Sequence, residues 1–156
     1  MPLQHIKYLA LVLTQTLALT LLPFSAMALE FKSVVTAKAI LYNAPRASAN
    51  KVLLLSQGYP VEVIVDLGEW VKVRDAHGSI NWIEAKALSS KRMVMVALDK
   101  AEIRQSAEAG ANLIATLEKD VVLEVTESTL NNGWLKVKHR DGIMGYILLS
   151  SVWGFN

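Results

Sequence analysis

Apolar residues fall on every second position along much of the chain. Val61, Val63 and Val65 share one face, and Val71 and Val73 share a face opposite Trp70, Lys72 and Arg74. Leu135 and Val137 against Trp134, Lys136 and Lys138 repeat the division. A period of two is that of a half-buried strand, because successive side chains of a strand leave opposite faces. The segments Asp75-Ala76-His77-Gly78 and Arg140-Asp141-Gly142 read as hairpin turns, with glycine supplying the positive φ such turns need. Beyond residue 28 no long helical period occurs. The Ala-rich residues 106–111 are the one candidate for a helical turn, and their counterpart, residues 44–50, reads as a loop. These patterns predict an all-β chain.

Residues 1–28 follow a different rule. His5 and Lys7 precede an apolar stretch over residues 9–22, Pro23 interrupts it, and Ala26-Met27-Ala28 has the A-x-A form of a cleavage site. This is the three-part layout of a secretory signal. A retained anchor is the competing reading, but the stretch falls short of the ~20 residues a spanning helix needs and carries Gln15 near its middle. The expectation is cleavage after Ala28, no stable membrane insertion afterwards, and a periplasmic or secreted protein.

The remainder repeats itself. Ala39-Ile40-Leu41-Tyr42, Tyr59-Pro60-Val61-Glu62-Val63, Trp70-Val71-Lys72-Val73-Arg74, Gly78, Trp82-Ile83 and Leu88 are followed in order by a second set. That set is Ala101-Glu102-Ile103-Arg104, Val121-Val122-Leu123-Glu124-Val125, Trp134-Leu135-Lys136-Val137-Lys138, Gly142, Tyr146-Ile147 and Val152. The offset is 62 residues up to Val125 and 64 from Trp134 onward. The two added residues fall within residues 127–133, a polar, turn-rich stretch expected to be a loop. Each copy reads as about five short strands. The expected organisation is a lead-in at residues 29–36, a first unit at 37–89, a linker at 90–92 and a second unit at 93–156. Units of about 60 residues bury too little surface to be comfortably stable alone, so the two are expected to pack together, with Met93 and Met95 helping to form the seam.

Composition narrows the chemistry. The 156 residues are 53% hydrophobic and 19% charged, with no cysteine and a formal net charge of +2. The chain is too apolar for disorder, and it offers neither a disulfide framework nor a thiol nucleophile or thiolate metal site. Loss of the leader removes only Lys7 from 16 Lys and Arg against 14 Asp and Glu, leaving near neutrality. No steering field for nucleic acid or a lipid surface follows from that balance; uncharged or zwitterionic partners fit better. Past the leader only His77 and His139 remain, each at a hairpin turn and not at equivalent places in the repeat. Neighbours within one turn cannot reach the geometry of a Ser-His-Asp relay, and no spacing of zinc ligands or Gly-rich phosphate loop is present. Neither enzyme activity nor a metal or cofactor is expected.

The aromatic residues are the candidate binding groups. Trp70 and Trp134 open strands on the face away from the core valines, beside Lys72, Arg74, Lys136 and Lys138, an arrangement suited to a peptide and its carboxylates or simply to covering a barrel end. Trp82 and Tyr146 extend that face in the next strand. Tyr59 precedes Pro60, which suggests an edge, so its ring is either packing or rim. Trp153 and Phe155 read as a closing plug or a contact between units.

These strings resemble the bacterial SH3-type domain, a five-stranded small barrel related to the Src-homology-3 fold. Ala39-Ile40-Leu41-Tyr42 is similar to the ALYDY-type opening, Glu69-Trp70-Val71-Lys72-Val73-Arg74 to the strand carrying the ligand-facing Trp, and Asn81-Trp82-Ile83 to the Gly-aromatic-aliphatic strand. The second copy supplies Gly133-Trp134-Leu135-Lys136-Val137 and Gly145-Tyr146-Ile147, and Val152-Trp153-Gly154 looks like secreted members. The resemblance implies two tandem barrels without catalytic activity that bind cell-wall peptide or dock an envelope protein such as a hydrolase. It implies an aromatic groove at Tyr42 and Trp70 in the first copy. Arg104 stands at the Tyr42 position in the second, so the first copy is the better binder. The ligand set expected is Tyr42, Tyr59, Trp70, Trp82, Trp134 and Tyr146, in a monomer.

Overall fold

The structure, a computed structural model, describes residues 29–156. The leader expected at residues 1–28 lies outside the described residues. Strands β1 (Glu30–Val34), β2 (Lys38–Tyr42), β3 (Lys51–Ser56), β4 (Pro60–Asp66), β5 (Trp70–Arg74), β6 (Ile80–Glu84) and β7 (Leu88–Ser89) build the first unit. Strands β8 (Met93–Val96), β9 (Lys100–Arg104), β10 (Leu113–Glu118), β11 (Val122–Asn131), β12 (Trp134–Lys138), β13 (Met144–Leu148) and β14 (Val152–Trp153) build the second. One-turn 3₁₀ helices, Ala85–Ala87 and Leu149–Ser151, precede β7 and β14.

Each unit is one antiparallel sheet of seven strands, in the order β3-β2-β6-β5-β4-β1-β7 and, at equivalent places, β10-β9-β13-β12-β11-β8-β14. The five strands read from each copy are β2 to β6 and β9 to β13, and a longer and a shorter strand flank them. The expectation of a lead-in over residues 29–36 is therefore corrected. β1 pairs with β4, Glu30 opposite Val63, and with β7, Val34 opposite Leu88, so the first unit begins there. Ser33 and Val34 are buried, and Val34 joins the core; a strand of so few apolar residues carries little periodic signal on its own.

The alternation marks the core, with one correction: the register shifts between Val63 and Val65, so Val65 leaves the face of Val61 and Val63, stands opposite Lys72 and is 40% exposed. Leu41, Val61, Val71, Val73 and Ile83 are wholly buried in the first unit, as are Ile103, Leu123, Leu135, Val137 and Ile147 in the second. Each such side chain contributes roughly 1.5–3 kcal/mol of burial. Of two expectations for the loops, one holds in part and one fails. Residues 106–111 form no helix but bend into one hydrogen-bonded turn at residues 109–110, with Glu108 N–H donating to Ser106 (2.9 Å) and Ala111 N–H to Glu108 (3.2 Å). The first unit shows the same arrangement, Arg46 to Ala44 (2.9 Å) and Ala49 to Arg46 (3.0 Å). Residues 127–133 are not a loop. β11 runs through to Asn131, opposite Trp134, and only Asn132-Gly133 turn the chain, with φ of 50° and 81°.

The units meet along a seam. A Cβ placed on Gly154 would stand 2.8 Å from Pro60 Cβ and 2.9 Å from the Met93 carbonyl oxygen, and one on Gly58 would stand 3.1 Å from Met93 Cε. Phe31 meets Trp153 edge-to-face at 5.2 Å, and the Asn156 side-chain amide donates to the Leu29 carbonyl. Ser33 Oγ donates to the Lys91 carbonyl at 2.8 Å, tying β1 to the linker, and Lys91 pairs with Glu124 at 2.8 Å.

Candidate aromatic groove

On the face of the first sheet away from its core, β2 and β6 are in register only where Tyr42 stands opposite Trp82. Trp82 also faces Lys72 across β5, whose Nζ lies 5.7 Å from the indole centre, and Trp70 faces Glu84. Tyr42 and Trp70 stack edge-to-face, with centroids 5.3 Å apart and planes at 86°. This geometry sets the positive ring edge of one against the π-face of the other. Tyr42 is only 8% exposed, whereas Trp70 keeps part of its ring open to solvent.

Two shallow depressions flank this pair. One, of about 400 Å³, is lined by Gly68, Glu69, Trp70, Glu84, Ala85 and Lys86. The other, of about 230 Å³, runs along β2 past Thr36, Lys38, Ile40 and Tyr42. Glu84 and Lys86 border both, joined by an ion pair of 2.9 Å. The hydrogen bond and charge of Glu84 raise the Lys86 ammonium above its ordinary pKa.

Of the six expected ligand residues, the structure gathers Tyr42, Trp70 and Trp82. Tyr59 packs against the first core, and its hydroxyl oxygen accepts from Ala76 N–H at 3.2 Å. The edge expected from Pro60 is corrected, since β4 lies between β5 and β1 with Pro60 opposite Ser33. Trp134 is 6% exposed and lies in the wall of the second barrel. Tyr146, half-buried, sits under Lys136 at 6.0 Å, the counterpart of Trp82 and Lys72. Arg104, in the place of Tyr42, is already engaged: it donates to the Ala111 carbonyl at 2.7 Å and pairs with Glu102. The aromatic pair of the first unit is thus replaced in the second by a buried Trp and a self-satisfied Arg.

Sequence reasoning passed over Thr36, Lys38, Glu69, Glu84 and Lys86, because isolated charges on a strand carry no signature of a site. A signal existed in the comparison of copies. Leu98, Gly133, Leu148 and Ser150 occupy the places of Thr36, Glu69, Glu84 and Lys86, while Lys100 keeps the charge of Lys38, so the two carboxylates and the Glu84–Lys86 pair belong to the first unit alone. The histidines are turn residues. Asp75 Oδ1 accepts from His77 N–H (2.9 Å) and Ser79 N–H (3.0 Å), and at the equivalent turn His139 Nδ1 accepts from Asp141 N–H (3.3 Å). Among the described residues no three His, Asp or Glu side chains gather to hold a metal ion.

Among solved structures the chain is similar to NlpC2 and NlpC1 from Trichomonas vaginalis. The first is 16% identical with a TM-score of 0.37, over 83% of this chain and 49% of that one; the second is 15% identical with a TM-score of 0.37, over 82% and 46%. An NlpC/P60 family protein from Bacillus cereus ATCC 10987 is 14% identical with a TM-score of 0.36, over 80% and 56%. The chain spans about half the length of these proteins. No curated protein matches it. Residues 35–90 and 98–154 each match the family described as Bacterial SH3 domain, nearly the whole of both units, and no catalytic domain is evident among the described residues. The chain belongs to the bacterial SH3 domain family and carries two such domains in tandem.

Proposed function

We propose that the protein is a non-catalytic binding module of the bacterial envelope that holds a cell-wall (peptidoglycan) peptide in the groove of its first domain. The observation that carries the reading is the Tyr42–Trp70 pair between two open depressions, where the second domain has a buried Trp134 and an Arg104 bonded within its own domain. A part-exposed indole on a rigid strand offers a large contact area at low entropic cost, and an extended peptide fits a shallow groove better than a small metabolite does. The secretory layout of residues 1–28 supports work outside the cytoplasm, in the periplasm or beyond it.

The test is co-sedimentation of the purified protein with washed peptidoglycan sacculi. Trp70→Ala is expected to weaken pelleting by about tenfold or more while near-UV circular dichroism keeps the folded signature, and Arg104→Ala to leave pelleting unchanged. Folded wild-type protein that stays in the supernatant contradicts the reading. One observation favours a second reading, a scaffold that docks an envelope hydrolase or a membrane protein. The edge strand β3 exposes Val52 (51%), Leu53 (45%) and Leu54 (50%) in succession, the kind of edge to which a protein strand adds.

A further inference from the structure

Charge is distributed unevenly along the groove. Around the depression at Trp70 stand two carboxylates, Glu69 and Glu84, against the one ammonium of Lys86. Around the depression along β2 stand two ammonium groups, Lys38 and Lys86, against Glu84, with the Thr36 hydroxyl beside them. The groove is therefore negative at its Trp70 end and positive at its β2 end, with the Glu84–Lys86 pair at the crossover.

We propose that the groove selects zwitterionic peptides and fixes their direction, seating an ammonium group at the Trp70 end and a carboxylate at the Lys38 end. The proposal rests on the peptide-binding reading above and names the class of peptide. The Glu84–Lys86 pair leaves capacity for both groups. An ammonium has three donors and a carboxylate about four acceptor sites, and the pair uses one of each. The side chains are 32% and 80% exposed, so a ligand reaches them without dismantling the fold. Glu84 stands directly opposite Trp70 on the same face, so a cation held by Glu84 and Glu69 also lies near the indole π-face, which attracts it. At the β2 end the two lysines supply ammonium donors that a carboxylate accepts, the Thr36 hydroxyl being spent on the Lys38 carbonyl at 3.0 Å. The second domain keeps Lys100 at the place of Lys38 but has Gly133, Leu148 and Ser150 in place of Glu69, Glu84 and Lys86, so it has no negative end. A near-neutral chain then binds by local charge pairing rather than by a long-range field.

The test uses calorimetric titration of the full chain with the tetrapeptide N-acetyl-Ala-Gln-Lys-Ala, which carries one ammonium and one carboxylate, its Lys-acetylated form and its C-terminal amide. Removing either charge from the peptide is expected to weaken binding by about three- to tenfold. Glu69→Gln combined with Glu84→Gln should weaken binding of the unmodified peptide by a similar factor yet leave the Lys-acetylated form unaffected. Lys38→Gln combined with Lys86→Gln should do the same against the amide. Wild-type affinities equal within about twofold for all three peptides, or variants that lose the charged and neutralised peptides alike, overturn the proposal. Pelleting with sacculi through Trp70 in a protein that binds none of the three peptides overturns it too, while leaving the wall-binding reading standing; absence of both overturns the two together.

Discussion

At the scale of single residues, the exchange at the aromatic pair sets the two domains apart: Tyr42 in the first, Arg104 in the second. It was legible in the sequence because the repeat aligns the two positions, and the structure adds its consequence, a stacked aromatic pair in one domain and an internally bonded guanidinium in the other. Tyr59 was not legible in this way. A ring before a proline reads equally as packing or as rim, and only the fold decides for packing, with the ring against the core and its hydroxyl over the Asp75–Ser79 turn. Burial raises its phenol above the ordinary value of 10.0, the Ala76 N–H bond partly offsets this, and the charges of Asp75 and Asp120 reinforce it. An acid that holds its proton longer in the folded state adds stability that is complete below the unfolded pKa and is lost as pH rises through the folded pKa. Stability is therefore expected to fall between about pH 9 and about pH 11, and to fall less in Tyr59→Phe. Urea unfolding at the two pH values checks this, and an equal loss in both proteins contradicts it.

At the scale of elements, the strands followed from alternation, since a period of two with one face buried leaves one workable register. The connections did not follow so well. The two residues added to the second copy read as slack in a loop, but they lengthen a hairpin instead. Asn132 and Gly133 both take the positive φ of a type I′ turn and Asn131 pairs with Trp134; the register slips between Val125 and Glu127 as it does between Val63 and Val65 in the first unit, and again between Glu127 and Asn131, where β11 carries two residues more than β12. The Asn-Gly signal was present but was outweighed by polar composition. A side chain at φ of 81° is strained, so Gly133→Ala is expected to cost about 1 kcal/mol in urea unfolding. Gly110→Ala, where a Cβ meets nothing within 4 Å, is expected to cost little. Equal costs at the two positions contradict the turn assignment.

At the scale of the whole molecule, the small size of each unit made packing of the two legible, but the residues that accomplish it were only partly so. Met93 lies at the seam as expected, its Cε close against Gly58. The partnership of Phe31 with Trp153, and of Leu29 with Asn156, joins the two ends of the described chain, and no local pattern announces contacts between residues so far apart in sequence. The buried Gly154 lets the C-terminal segment approach Pro60 and Met93 more closely than any side chain allows. The result is two copies of one fold held side by side, of which one keeps an open, charged aromatic groove and the other has closed its own. The most direct test of that asymmetry is a two-dimensional ¹H–¹⁵N NMR titration of the intact protein with soluble fragments released from peptidoglycan by lysozyme. Shifts are expected at the Trp70 indole N–H and the amides of Tyr42, Glu84 and Lys86, with Arg104, Trp134 and Tyr146 unmoved. Shifts confined to the second domain, or none in the first, would contradict a groove at Tyr42 and Trp70.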